Sequence, residues 1–105
     1  MVFVETSVFT RRVTQLLSDE ELRALQNHLL EHPDAGDVVL ESGGLRKIRW
    51  KIGNRGKRGG VRVICFWLMS RDQILMLLVY AKNEQSDLTT EQKRILRGVV
   101  EEELQ

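Results

Sequence analysis

Cysteine and proline are nearly absent from this chain: Cys65 and Pro33 are the only examples in 105 residues. A lone cysteine leaves no intrachain disulfide to form, and a reducing compartment such as the cytoplasm suits it. Long apolar runs are lacking too. The longest, Ile74 to Ala81 (ILMLLVYA), falls far short of a membrane span. The opening MVFVETSVF has neither the basic start nor the extended apolar stretch of a secretory signal. These absences point to a cytoplasmic protein with no membrane partner, built as one domain over residues 1–105.

The familiar catalytic and cofactor signatures are also missing. His28 and His32 stand four apart on a predicted helix, but Leu29 sits where a zincin has glutamate, and no third ligand is evident. Solvated helix histidines are the expectation, and no metal. Cys65 has no histidine near it in sequence and reads as a small core residue. Gly56-Lys57 is followed by Arg58 rather than serine or threonine, and a strand rather than a helix comes next, which excludes a Walker A loop. No G-x-G-x-x-G opens a helix after a strand. No cofactor is expected.

One further absence is local. From Leu45 to Arg62 there is no acid, while eight bases crowd 18 residues: Arg46, Lys47, Arg49, Lys51, Arg55, Lys57, Arg58 and Arg62. The other 87 residues hold eight bases against 15 acids, a net of −7, so the overall +1 conceals a basic patch on an acidic body. Such an asymmetry fits a polyanionic partner.

Hydrophobic periodicity orders the rest. Val2–Val4 reads as a short strand, and Thr6 or Ser7 caps a helix with Phe9, Val13, Leu16 and Leu17 at helical spacing. Ser18-Asp19-Glu20-Glu21 is a capping box for a second helix, striped by Leu22, Leu25, Leu29 and Leu30 and ended before Pro33. The two form a helical hairpin. Strands follow at Val38–Glu41, Leu45–Ile52, Val61–Ser70 and Ile74–Lys82, with a glycine-rich loop at 53–60. A last helix starts at Thr89, capped with Gln92. The expected architecture is α+β, an N-terminal helical hairpin on one face of a mostly antiparallel four- to five-stranded sheet with a C-terminal helix, in the order β-α-α-β-β-β-β-α. The opposite face is expected to stay open for a ligand.

Alternation within Leu45–Ile52 is informative. Lys47, Arg49 and Lys51 fall on one side, and Ile48, Trp50 and Ile52 on the other. Across the following hairpin, Arg62 opens one strand and Lys82 closes its partner, so the two become neighbours. Lysine and arginine hold phosphate well. They also stabilise the charge that builds up when an RNA 2′-hydroxyl attacks the adjacent phosphate, with no metal required. Lys47, Arg49, Arg62 and Lys82 are the catalytic candidates. Glu84 is either a base or a partner that orients a cation. Trp50, Phe66, Trp67 and Tyr80 are available for base stacking, although most of them sit in core-like strand settings.

Three segments, GGLRKIRW, GKRGGVRVI and LLVYAKNEQSDLT, together with the element order, resemble the RelE/HigB-type toxins of bacterial type II toxin–antitoxin modules, within the RelE/ParE superfamily. The resemblance runs from VFVETSVF to the final helix. It implies a small microbial-RNase-like fold and a metal-independent mRNA endoribonuclease acting at the ribosome. It also implies a cognate antitoxin, often of helix-turn-helix type, through which the complex meets DNA. By motif, the family's basic strand residues fall on Lys47 and Arg49, its next-strand arginine on Arg62, and its post-strand catalytic segment on Lys82-Asn83-Glu84. The best-known members have arginine where Asn83 stands and tyrosine near Thr89; the HigB-type branch with K-N-E is closer. Arg46, Lys51, Arg55, Lys57 and Arg58 are then the residues expected to bind RNA and the ribosome. The alternatives are a ParE-type gyrase inhibitor or a non-catalytic nucleic-acid-binding module.

Overall fold

The computed structural model describes residues 1–52 and 60–104. Along the chain run β1 (Val2–Glu5), α1 (Ser7–Leu16), α2 (Asp19–Glu31), β2 (Asp37–Val38), β3 (Arg46–Trp50), β4 (Val61–Leu68), β5 (Gln73–Ala81) and α3 (Thr90–Leu104), in the order the periodicity predicts. A 3-10 turn at Met69–Arg71 and a left-handed Asp72 (φ 54°) connect β4 to β5.

Each helix starts where a side chain takes up its free N–H groups. Thr6 Oγ1 accepts from the Phe9 N–H at 3.0 Å. Ser18 and Glu21 exchange the two bonds of a capping box, and Thr89 and Gln92 do the same ahead of α3.

The sheet order is β1-β5-β4-β3-β2. Three of its pairings are antiparallel, and β1 joins β5 in parallel, so the sheet is mixed. Between Ile64 and Cys65 the register shifts: Ile64 pairs with Leu78, and Cys65 with Met76. Leu77 is the extra residue of a β-bulge. Its carbonyl accepts a hydrogen bond from the Thr6 hydroxyl at 2.8 Å, so the helix cap also ties α1 to the irregular point of the sheet.

On one sheet face, Phe9 and Val13 of α1, Leu17 just after it, and Leu25 and Leu29 of α2 pack on Ile48, Val61, Val63, Cys65, Ile74, Met76 and Val79. The other face departs from expectation. In place of an open surface, Leu96 and Val100 of α3, with Leu88 ahead of them, cover Leu45, Ile64, Leu68, Leu75 and Leu77. An apolar stripe on a terminal helix has to be buried somewhere, and the first face is already occupied. Ile95, the residue before Leu96, stays about half exposed.

The strand predicted over 38–41 shortens to Asp37–Val38 because the chain turns at once. Ser42, buried, donates to the Val39 carbonyl and accepts from the Leu45 N–H. Gly36, just before β2, has φ +91°, and a Cβ there would lie 2.7 Å from the Lys47 carbonyl oxygen. That close approach seats β2 against the basic strand.

Candidate functional site

Strand register decides which cations meet. Arg49 lies directly opposite Arg62, and Arg62 directly opposite Tyr80, so the three form one row across β3, β4 and β5. Side chains in such a row stand about 5 Å apart at Cβ. Lys47, paired with Ile64, is two residues along on the same face. This face is the one α3 covers, and Lys93 of that helix lines the same cleft as Lys47 and Arg49.

Two arginines directly opposite each other repel. The fold tolerates this with few internal acids. Arg49 reaches Asp37 at 3.2 Å, and Lys47 reaches Asp87 at 2.5 Å. Among the described residues no carboxylate pairs with Arg62. Both acids are about three-quarters exposed, and Arg49 is exposed too, so its pair with Asp37 holds weakly in water, whereas the Lys47 side chain is largely buried. The hydrogen bond from Lys47, reinforced by its charge and by those of Lys93 and Arg49, holds the Asp87 carboxyl below its usual range. Lys47, Arg49, Lys93, Asp37 and Asp87 line a cleft of about 320 Å³ with aliphatic walls. A slightly larger cleft of about 350 Å³ lies along α3, but its Arg94 and Arg97 already pair within the helix, with Glu91 and Glu101.

The remaining predicted residues divide. Lys82 follows β5 in a turn, and its N–H donates to the Gly60 carbonyl at 3.1 Å, which places it beside the start of β4 and the end of the Arg62 row. Glu84 caps the turn and pairs with a cation: its Oε1 accepts from the Ala81 N–H at 2.7 Å and from Arg12 at 2.5 Å. The backbone hydrogen bond first, then Arg12, hold its carboxyl below the ordinary value. Arg46 stands apart from the cluster. It pairs with Cys65, on the face covered by α1 and α2, and donates to the Gly36 carbonyl at 3.3 Å. Lys51 is exposed just beyond β3. Arg55, Lys57 and Arg58 lie outside the described residues.

Other candidates resolve as packing. The His28 ring sits 5.0 Å from His32 and 5.3 Å from Trp50, an aromatic cluster behind β3. Among the described residues, no group of three or more His, Cys, Asp or Glu side chains is placed to hold a metal ion. Burial pushes the Cys65 thiol up to about 12, so it stays protonated and inert. Trp50, Phe66 and Trp67 are half-buried against the two cores.

Sequence reasoning missed Asp37, Asp87 and Lys93, which reach the cleft from β2, the β5–α3 connection and α3. It also treated Tyr80 only as a ring. Tyr80 is 3% exposed, and its hydroxyl is buried without a hydrogen-bond partner among the described residues. Burial, and next the charge of Asp87, raise the phenol pKa against the opposing pull of Arg62 and Arg49. The phenol is therefore a neutral O–H donor at physiological pH. The side chains on this face can hold a phosphate and neutralise charge that develops on it. Among the described residues, no helix is long and apolar enough to cross a membrane. A scan against known protein families matches no family model to this chain.

Proposed function

We propose that this protein is a RelE/HigB-type toxin with the microbial-RNase-like fold, a metal-independent endoribonuclease that cuts mRNA at the ribosome and blocks translation in the cytoplasm. The observation that carries this reading is the Arg49–Arg62 pair, directly opposed on adjacent strands with Lys47 beside it and no acid on Arg62 among the described residues. Paired like charges are unfavourable until an anion sits between them. The three motifs quoted above supply the identity of that anion.

In this mechanism the RNA phosphate displaces Asp87 and Asp37 and is held by Lys47 and Arg49. The 2′-hydroxyl attacks the phosphorus, the bond to the 5′-oxygen breaks, and negative charge gathers on the phosphoryl oxygens and the leaving group. Arg62 neutralises it. Fixed charges aimed at such a transition state act strongly in a partly desolvated site. Lys82, exposed beside Gly60, gives a proton to the departing 5′-oxygen while the proton of the 2′-hydroxyl passes to water, and Glu84 anchors the turn through Arg12. Arg46, Lys51, Arg55, Lys57 and Arg58 supply contacts to the ribosome. The cognate antitoxin holds the toxin inactive and carries the complex to DNA.

Induced expression with mapping of mRNA 5′ ends tests this. The wild type is expected to arrest growth and create new ends inside codons. Arg62→Ala should relieve the arrest, with cleavage down roughly 100- to 1,000-fold and an unchanged circular dichroism spectrum. Full toxicity in that variant defeats the assignment. Arrest with DNA damage and no new ends favours a ParE-type gyrase inhibitor, and salt-sensitive binding without arrest a plain nucleic-acid-binding module.

A further inference from the structure

We propose that the Tyr80 hydroxyl is the floor of a phosphoryl pocket closed by the Lys47–Asp87 ion pair. When a phosphate takes the place of Asp87 on Lys47, the phenol O–H donates a hydrogen bond to a phosphoryl oxygen flanked by Arg49 and Arg62. That the phosphate belongs to RNA rests on the proposed function; the pocket itself rests on the geometry.

Buried polar atoms in folded proteins nearly always have partners, and an orphaned one asks for an explanation. This hydroxyl is buried on a residue 3% exposed and has no partner among the described residues. Its ring belongs to the core that α3 covers, but charged side chains stand around it. Its residue stands opposite Arg62, and the charges of Asp87, Arg62 and Arg49 all act on the phenol. The groups assembled here are donors: two guanidiniums, the Lys47 ammonium and the phenol O–H. Guanidiniums and ammonium cannot accept from the phenol. A ligand with several acceptor oxygens on one centre satisfies the whole set, and a phosphate is that ligand. Asp87 offers a carboxylate from the same side, bonded to Lys47 at 2.5 Å yet 73% exposed, and so is free to leave. It stands in for the anion, and its departure uncovers the hydroxyl.

Tyr80 is the only tyrosine in the chain, which makes a direct readout simple. In protein carrying ¹³Cζ-tyrosine a single resonance reports the phenol. Titration with inorganic phosphate is expected to move it saturably. Tyr80→Phe keeps the ring in the core, and should weaken phosphate binding by roughly tenfold while raising the melting temperature slightly, because the unsatisfied O–H is gone. Asp87→Asn, which removes the competing charge, should tighten phosphate binding. A resonance unmoved at saturating phosphate, no phosphate binding by the wild type, or equal affinity in Tyr80→Phe overturns the pocket. The two readings separate cleanly. Phosphate binding through Tyr80 without RNA cleavage leaves the pocket standing and removes the ribonuclease. Wild-type cleavage and phosphate affinity in Tyr80→Phe does the reverse.

Discussion

The two faces of the sheet come from alternate residues of the same strands, yet they behave as different materials. On one, Ile48, Val61 and Val63 are sealed under α1 and α2. On the other, their neighbours Lys47, Arg49 and Arg62 share the side that α3 covers, with two exposed acids for company. A five-residue strand, RKIRW, thus serves a dry core and a wet electropositive surface at once. Stability is concentrated on the first face. The second tolerates opposed arginines and a phenol unpartnered among the described residues, an arrangement that detracts from stability and suits a site awaiting a ligand.

Breaking the first face has the largest expected effect. Leu25→Ala, at a fully buried position, should cost about 3–5 kcal/mol, read as a shift in the urea midpoint. A change well under 1 kcal/mol there would mean that α2 contributes little to the core. Contrasting the faces on one segment comes next. Arg62→Ala should abolish most RNA cleavage and leave the urea midpoint nearly unchanged, whereas Arg46→Ala, on the opposite face and assigned only a ribosome contact, should lower cleavage far less. Equal losses in the two variants would erase the distinction between the faces. Thr6→Ala is smaller, about 1–2 kcal/mol, and larger than an ordinary cap loss because it also frees the Leu77 carbonyl at the bulge.

Acid titration gives the finest contrast. The folded pKa of Glu84 is depressed, so its contribution is fully present above the ordinary carboxylate pKa and is lost progressively as pH falls from there through the lowered folded value. Glu84→Gln should flatten that acid limb of the stability curve. Identical acid limbs would show that the Arg12 pair does nothing for folding.

Much of this was legible in the sequence because it is local. The cap residues Thr6, Ser18 and Thr89, the alternation in RKIRW and the element order depend on neighbours a few positions away. The proximity of Arg62 and Lys82 followed from hairpin geometry. What escaped detection depended on contacts between distant segments. Asp37 reaches Arg49 from 12 residues off, and Asp87 reaches Lys47 from 40. The burial of the second face depends on where α3 lands, which its stripe does not encode. The orphaned hydroxyl of Tyr80 was hidden because a tyrosine in an apolar strand reads as packing. Arg46 was grouped with the other bases by composition, although its strand parity already set it with Ile48 and Trp50.

Leu77 turns out to govern more than the shape of a strand. In β5, Ile74 and Met76 point to the α1–α2 side at even numbers, and Val79 points there at an odd one. The inserted residue changes the phase of the strand by half a cycle. Were Leu77 paired regularly with Ile64 instead of bulged, Val79 would fall opposite Arg62 and Tyr80 opposite Val61, in the oily layer beneath α1 and α2, so a single backbone unit selects which side of the protein the phenol addresses.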